Sequence, residues 1–177
     1  MREGLDQPGL AGVAAGVRAE WRDEQEAADA DAATMWRRSR SLTDWLTDRM
    51  HAGDWVAVVV GGTRIAGSVE EVGPDLVALR DEFGRTDVNL AVPLPVAFAV
   101  RDRVGHGGRR AATARNFRDA VAARDGDEVR VAALAVPEGR IGRLRVARDF
   151  VLVGHGPEEL VLPLAQTAWV APVRRDR

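Results

Sequence analysis

The second half of this chain repeats its first half, which limits it to folds in which one small unit occurs twice. Gly53-Asp54-Trp55-Val56-Ala57-Val58 is followed by Gly67, Val69, Asp75-Leu76-Val77 and Pro93-Leu94. Gly126-Asp127-Glu128-Val129-Arg130-Val131 is followed in turn by Gly142, Leu144, Asp149-Phe150-Val151 and Pro163-Leu164. The lead-in residues Leu42, Asp44, Leu46 and Arg49 return as Phe117, Asp119, Val121 and Arg124. The offset stays between 70 and 75 residues, as small loop changes in a duplicated unit produce.

Within each copy the apolar period is that of strands. Val56, Val58 and Val60 alternate, Gly61-Gly62 supplies a tight hairpin turn, and Ile65, Gly67 and Val69 resume the alternation. Val72 has the opposite parity, which places a bulge or bend near Glu70-Glu71, the usual device for curling a sheet. Leu76 to Arg80 reads as a third strand and Asp81-Glu82-Phe83-Gly84 as a turn. Val88, Leu90 and Val92 read as a fourth strand, and Val96, Phe98 and Val100 as a fifth. Five short strands with a bent second one describe a small closed or nearly closed barrel. The expected fold is mainly β with α: a long N-terminal helix, then two tandem five-stranded barrels, each preceded by a helix.

The expected boundaries follow. Residues 1–17 form a glycine-rich leader. Residues 18–52, free of proline and glycine, form one helix or two, with Ser41 or Thr43 as the cap of a second. Residues 53–100 form barrel one, 101–114 a linker, 115–125 a short helix, 126–173 barrel two and 174–177 a tail. In the long helix Trp21, Ala28, Met35 and Leu42 recur every seven residues, and Trp36, Trp45, Leu46 and Met50 widen the stripe. Such a stripe packs on the strands behind it or pairs with a second copy. Trp21, Met35, Trp36 and Trp45 are the candidate partner-binding residues.

Composition removes several kinds of chemistry. The 177 residues are 46% hydrophobic and 29% charged, a globular balance, with a net charge of −2 that gives no global attraction to nucleic acid or to anionic lipid. There is no cysteine, so disulfides and thiolate metal sites are excluded. No stretch is apolar enough to span a bilayer, the first residues carry no secretory pattern, and the expected location is cytoplasmic. Lysine is absent and every basic side chain except histidine is arginine. Arginine enrichment here therefore reflects composition before it reflects phosphate binding.

Gly62-Thr63-Arg64-Ile65-Ala66-Gly67-Ser68-Val69 followed by Asp75 resembles the first motif of the Sm-like (LSm) proteins, and Gly142-Arg143-Leu144 with Asp149 is similar to it. The resemblance covers about residues 40–100 and 115–172 and implies five-stranded, SH3-like barrels, each with a helix in front and a bent second strand. The chain is also similar to the C-terminal barrel of ribosome-maturation factors, to PRC-type barrels and to uncharacterised duplicated proteins of high-GC bacteria. Sm proteins read uridine with an asparagine soon after the motif aspartate and an arginine-glycine pair in a later loop. Here Leu76-Val77-Ala78-Leu79 and Val92-Pro93-Leu94-Pro95 stand at those places. Asp75 and Asp149 then read as turn residues that bond local amides.

His51, His106 and His155 lack metal-site spacing, Glu70-Glu71 and Glu158-Glu159 read as solvated, and Gly105-His106-Gly107-Gly108-Arg109-Arg110 reads as linker. No catalytic residue, metal or cofactor is expected, and the protein is not expected to be an enzyme. What remains is a charge asymmetry. Arg130, Arg143 and Arg145 alternate with inward-pointing Val129, Val131, Leu144 and Val146, with Arg140 and Arg148 at the strand ends, whereas barrel one has Ser68, Glu70 and Glu71. Two expectations follow. One is a non-enzymatic module binding RNA backbone, or an acidic protein surface, through this arginine face, extended by Arg37, Arg38, Arg40, the linker arginines and Arg174, Arg175 and Arg177. The other is a protein-interaction scaffold or homodimer formed through the tryptophan-bearing helix. No membrane partner is expected.

Overall fold

The computed structural model describes residues 9–93, 96–101, 115–155 and 158–173, without the side chains of residues 9–20, 23 and 101. The expected 101–114 linker and 174–177 tail, with their arginines and His106, lie outside the described residues apart from the Arg101 backbone. Two compact units divide the chain at Ser41 and Leu42.

The first unit holds α1, Gly9–Ser39, which begins inside the segment expected to be a leader. Arg37 and Arg38 occupy its last turn, where cations oppose the partial negative charge of the unpaired carbonyls. The helix stops at Ser39, whose hydroxyl donates to the Trp36 carbonyl at 2.8 Å. A second helix, α2, runs Leu42–Ala52. The seven-residue stripe is therefore cut before Leu42.

In the second unit α2 leads into β1 (Trp55–Val60), β2 (Thr63–Val72), β3 (Leu76–Asp81), β4 (Gly84–Asn89) and β5 (Val96–Arg101). Then come α3 (Phe117–Ala122), β6 (Glu128–Ala133), β7 (Val136–Val146), β8 (Phe150–His155), β9 (Glu158–Pro163), a single 3-10 turn at Leu164–Gln166 and β10 (Thr167–Pro172). Gly61 and Gly62 both take positive φ in the first hairpin, a conformation that only glycine adopts freely. The register of β2 on β3 shifts between Val69 and Glu71, where the apolar parity changes. β4 ends at Asn89, so Leu90 and Val92, expected as strand, lie in the turn that follows.

Among the described residues the ten strands belong to one antiparallel sheet in the order β5-β1-β2-β3-β4-β10-β6-β7-β8-β9. This corrects the expectation of two separately closed barrels. The outer backbone edge of β4 is taken by β10, with Trp169 opposite Val88 and Val170 opposite Asp87. The reason is elementary: a strand edge carries unpaired amides and carbonyls, and another edge satisfies them.

Each half of the sheet still has its own core. Val56, Val58, Val69, Val77, Leu79 and Val88 form one buried cluster with Leu46 and Met50 of α2. Phe117 and Val121 of α3 join Val129, Val131, Leu144, Val151, Val153 and Leu162 in the other. The clusters trade residues: Leu76 belongs to the second, and Ala132, Ala168 and Trp169 to the first. Asp75 departs from its expected local role, because its Oδ1 accepts from the Phe117 amide at 2.7 Å and so caps α3 from the other copy.

The repeat is written into backbone bonds. The Leu90 amide donates to the Asp75 carbonyl at 2.7 Å, and the Leu164 amide to the Asp149 carbonyl at 2.9 Å. A Cβ at Gly67 would lie 2.5 Å from the Arg80 carbonyl oxygen, and one at Gly142 would lie 2.5 Å from the Gly154 amide nitrogen. Both glycines thus sit where the second strand of a copy is pressed against the third.

Candidate functional site

Two surfaces were expected to carry function, one on the helical segment and one on the sheet. On α1, Trp21, Met35 and Trp36 are 70%, 71% and 58% exposed. At about 100° per residue they fall within an arc of roughly 100° on the helix. The Arg40 guanidinium lies 4.2 Å from the centre of the Trp36 ring, a cation–π contact. Glu24, Glu26, Asp29 and Asp31 are also exposed on this helix. Trp45 does not belong to the same element. It lies on α2, packs on the first core and meets Phe98 edge-on with ring centroids 6.0 Å apart. The set of four therefore splits into three open side chains and one structural tryptophan.

The arginine face is smaller than the sequence suggested. Register places Arg143 opposite Glu128 and Arg130 opposite Ile141, so Arg130, Arg143 and Arg145 share the outward side of β6 and β7. Arg140 stands opposite core-facing Val131 and so has the other parity. Arg148 is in the turn between β7 and β8, where its carbonyl accepts from Arg118 Nε at 2.9 Å. All five side chains are exposed.

Acidic neighbours offset much of this charge. Arg145 is paired with Glu159, and Arg140 lies 3.7 Å from Glu158. Arg143 Nε donates to the Gly126 carbonyl at 3.1 Å, and His155 Nε2 lies 3.7 Å from Glu128. Arg143 and Arg145 line one shallow hollow with Asp125, His155 and Glu159, whereas Arg130 faces a different cleft. The surface is one of alternating charge. Sequence reasoning missed the acidic side because Glu158 and Glu159 reach it only through the pairing of β8 with β9.

Among the described residues no three His, Asp or Glu side chains are grouped to hold a metal ion, and no helix is long and apolar enough to cross a membrane. No family model matches the sequence, and no curated protein matches it.

Proposed function

We propose that this protein is a non-enzymatic protein-interaction scaffold whose partner-binding element is α1. The observation that carries the reading is the exposure of Trp21, Met35 and Trp36 on one side of a single helix. Covering each of these on a partner removes enough apolar surface from water to contribute on the order of 1.5–3 kcal/mol. Tryptophan is also the side chain most enriched at the energetic centres of interfaces. The repeated strand order, β5-β1-β2-β3-β4 and then β10-β6-β7-β8-β9, supports taking the sheet as two small SH3- or Sm-like units fused edge to edge. In this reading the sheet is the platform and α1 the docking element.

The test replaces Trp21, Met35 and Trp36 together by serine in the full chain. Light scattering and affinity capture from native lysate are then compared with the parent protein. The scaffold reading expects self-association or a captured protein that is lost in the variant while the melting temperature is kept. A monomeric parent that captures nothing beyond what the variant captures overturns it.

A second reading rests on Arg130, Arg143 and Arg145 sharing one outward face: contact with RNA backbone without base specificity. It requires affinity that falls steeply with salt and is lost in R143E/R145E. Salt-insensitive binding to mixed RNA, or none near physiological salt, removes it.

A further inference from the structure

The two copies meet at a cleft of about 220 Å³. Ile65 of β2, Phe83 of the β3–β4 turn, Ile141 of β7 and Trp169 of β10 line it with apolar surface, and Arg64 and Arg130 add two guanidiniums. Phe83 and Ile141 are 47% and 43% exposed, large apolar side chains that the fold leaves open in one place. The Arg130 stem runs close beside Trp169 where the backbone narrows: a Cβ at Gly139 would lie 3.1 Å from both Arg130 Cγ and the Trp169 ring.

Charge distinguishes this cleft from the arginine surface of β7. Arg140 has Glu158 nearby, Arg145 has Glu159, and Arg143 has a carbonyl. Among the described residues Arg64 and Arg130 make neither an ion pair nor a side-chain hydrogen bond, and both are exposed. The cleft's own carboxylate, Asp81, is engaged in its turn, with Oδ1 accepting from the amides of Phe83 and Gly84 at 2.9 and 3.1 Å.

Two unpaired guanidiniums beside an apolar floor suit an anion with an apolar body, because arginine binds carboxylates through paired, charge-assisted hydrogen bonds. The volume lies below the roughly 300 Å³ at which pockets for drug-sized ligands begin, so it seats one side chain rather than a nucleotide. A single well-exposed ring, Phe83, is also a poor platform for successive stacked bases.

We infer that this cleft binds an acidic linear peptide. One aliphatic or aromatic side chain packs on Ile65, Phe83 and Ile141, and flanking carboxylates pair with Arg64 and Arg130. The inference does not depend on α1, which stays intact in every variant below.

The chain offers an unusually direct test, since Ile65 and Ile141 are its only isoleucines and both line the cleft. Isoleucine methyl labelling of the full chain gives two NMR signals. A fluorescein-labelled octapeptide alternating glutamate and leucine is expected to shift both and to bind saturably by anisotropy. The same peptide with glutamine for glutamate should bind about tenfold more weakly, and R64Q and R130Q should each cost about the same factor. R143Q/R145Q should leave the affinity unchanged. Methyl signals that do not move, equal weakening by R143Q/R145Q, or an oligouridylate that shifts the methyls as strongly as the peptide each overturn the proposal.

Discussion

Arg124 Nε, just past the end of α3, donates to Asp87 Oδ2 on β4 at 2.7 Å, which ties the second copy's helix to the first copy's strand. The other oxygen of Asp87 accepts from Arg85 Nε at 2.7 Å, and Arg85 in turn reaches Glu71. Asp87 is only 1% exposed, so its charge is tolerable because two guanidiniums and their hydrogen bonds surround it. The duplication has diverged here. The Arg124 counterpart, Arg49, pairs locally with Asp54 at 2.9 Å, and β9 carries Val161 where β4 has Asp87.

Asp87→Asn removes the charge while keeping the shape, and leaves Arg85 and Arg124 facing a neutral amide. The expected loss is about 3 kcal/mol, the lower end for a broken buried pair, because both arginines retain some solvent contact. Urea denaturation measures it. A midpoint unchanged from the parent would mean that the network adds nothing net.

Trp169 links the copies through packing instead of charge. It belongs to β10 of the second copy yet is buried in the first core at 5% exposure. Trp169→Ala should cost about 3–5 kcal/mol. The parent chain should lose the structure of both copies in one transition, with circular dichroism and tryptophan fluorescence coinciding. Two resolved transitions would show that the copies fold independently.

Much of this was legible locally. Val56, Val58 and Val60 alternate against Gly61-Gly62, and a hairpin stands there. The parity change after Val69 marks the shifted register at Glu70. Gly67 and Gly142 marked the repeat, and the same close strand approach stands at both. The pairing of β4 with β10 was not legible, because an edge-to-edge contact between distant strands leaves no periodic mark. Asp87 looked like any polar strand residue, and its partner Arg124 looked like the copy of Arg49. The acidic neighbours of the arginine face stayed hidden for a related reason: alternation reports which way Arg143 and Arg145 point but not that β9 brings Glu158 and Glu159 beside them.

Gly67→Ala and Gly142→Ala test the repeat itself. Each added methyl meets backbone at 2.5 Å, and backbone in a paired strand cannot step aside as a flexible side chain can. Each should destabilise by about 2–3 kcal/mol, the upper part of the range for a forced overpacking. The two losses should be similar although the residues lie in different copies. A neutral Gly142→Ala beside a costly Gly67→Ala would separate the two bends.

Composition and one guanidinium together set how stability responds to alkaline pH. Burial by itself lowers the Arg85 pKa, but the carboxylates of Asp87 and Glu71 outweigh that cost and hold it above the ordinary arginine value. A cation raised on folding contributes stability that is complete below its unfolded pKa and is lost only as pH climbs through the folded one. For Arg85 that window is strongly alkaline. The chain has no lysine, tyrosine or cysteine, so between about pH 9 and 11 no side chain has an ordinary titration. The melting temperature should stay level across that interval, within about 2 °C, where most proteins lose stability as lysines and tyrosines change charge. Scanning calorimetry at closely spaced pH values decides it. A steady fall beginning near pH 9 would mean that the arginine–carboxylate network is being dismantled well before its guanidiniums titrate.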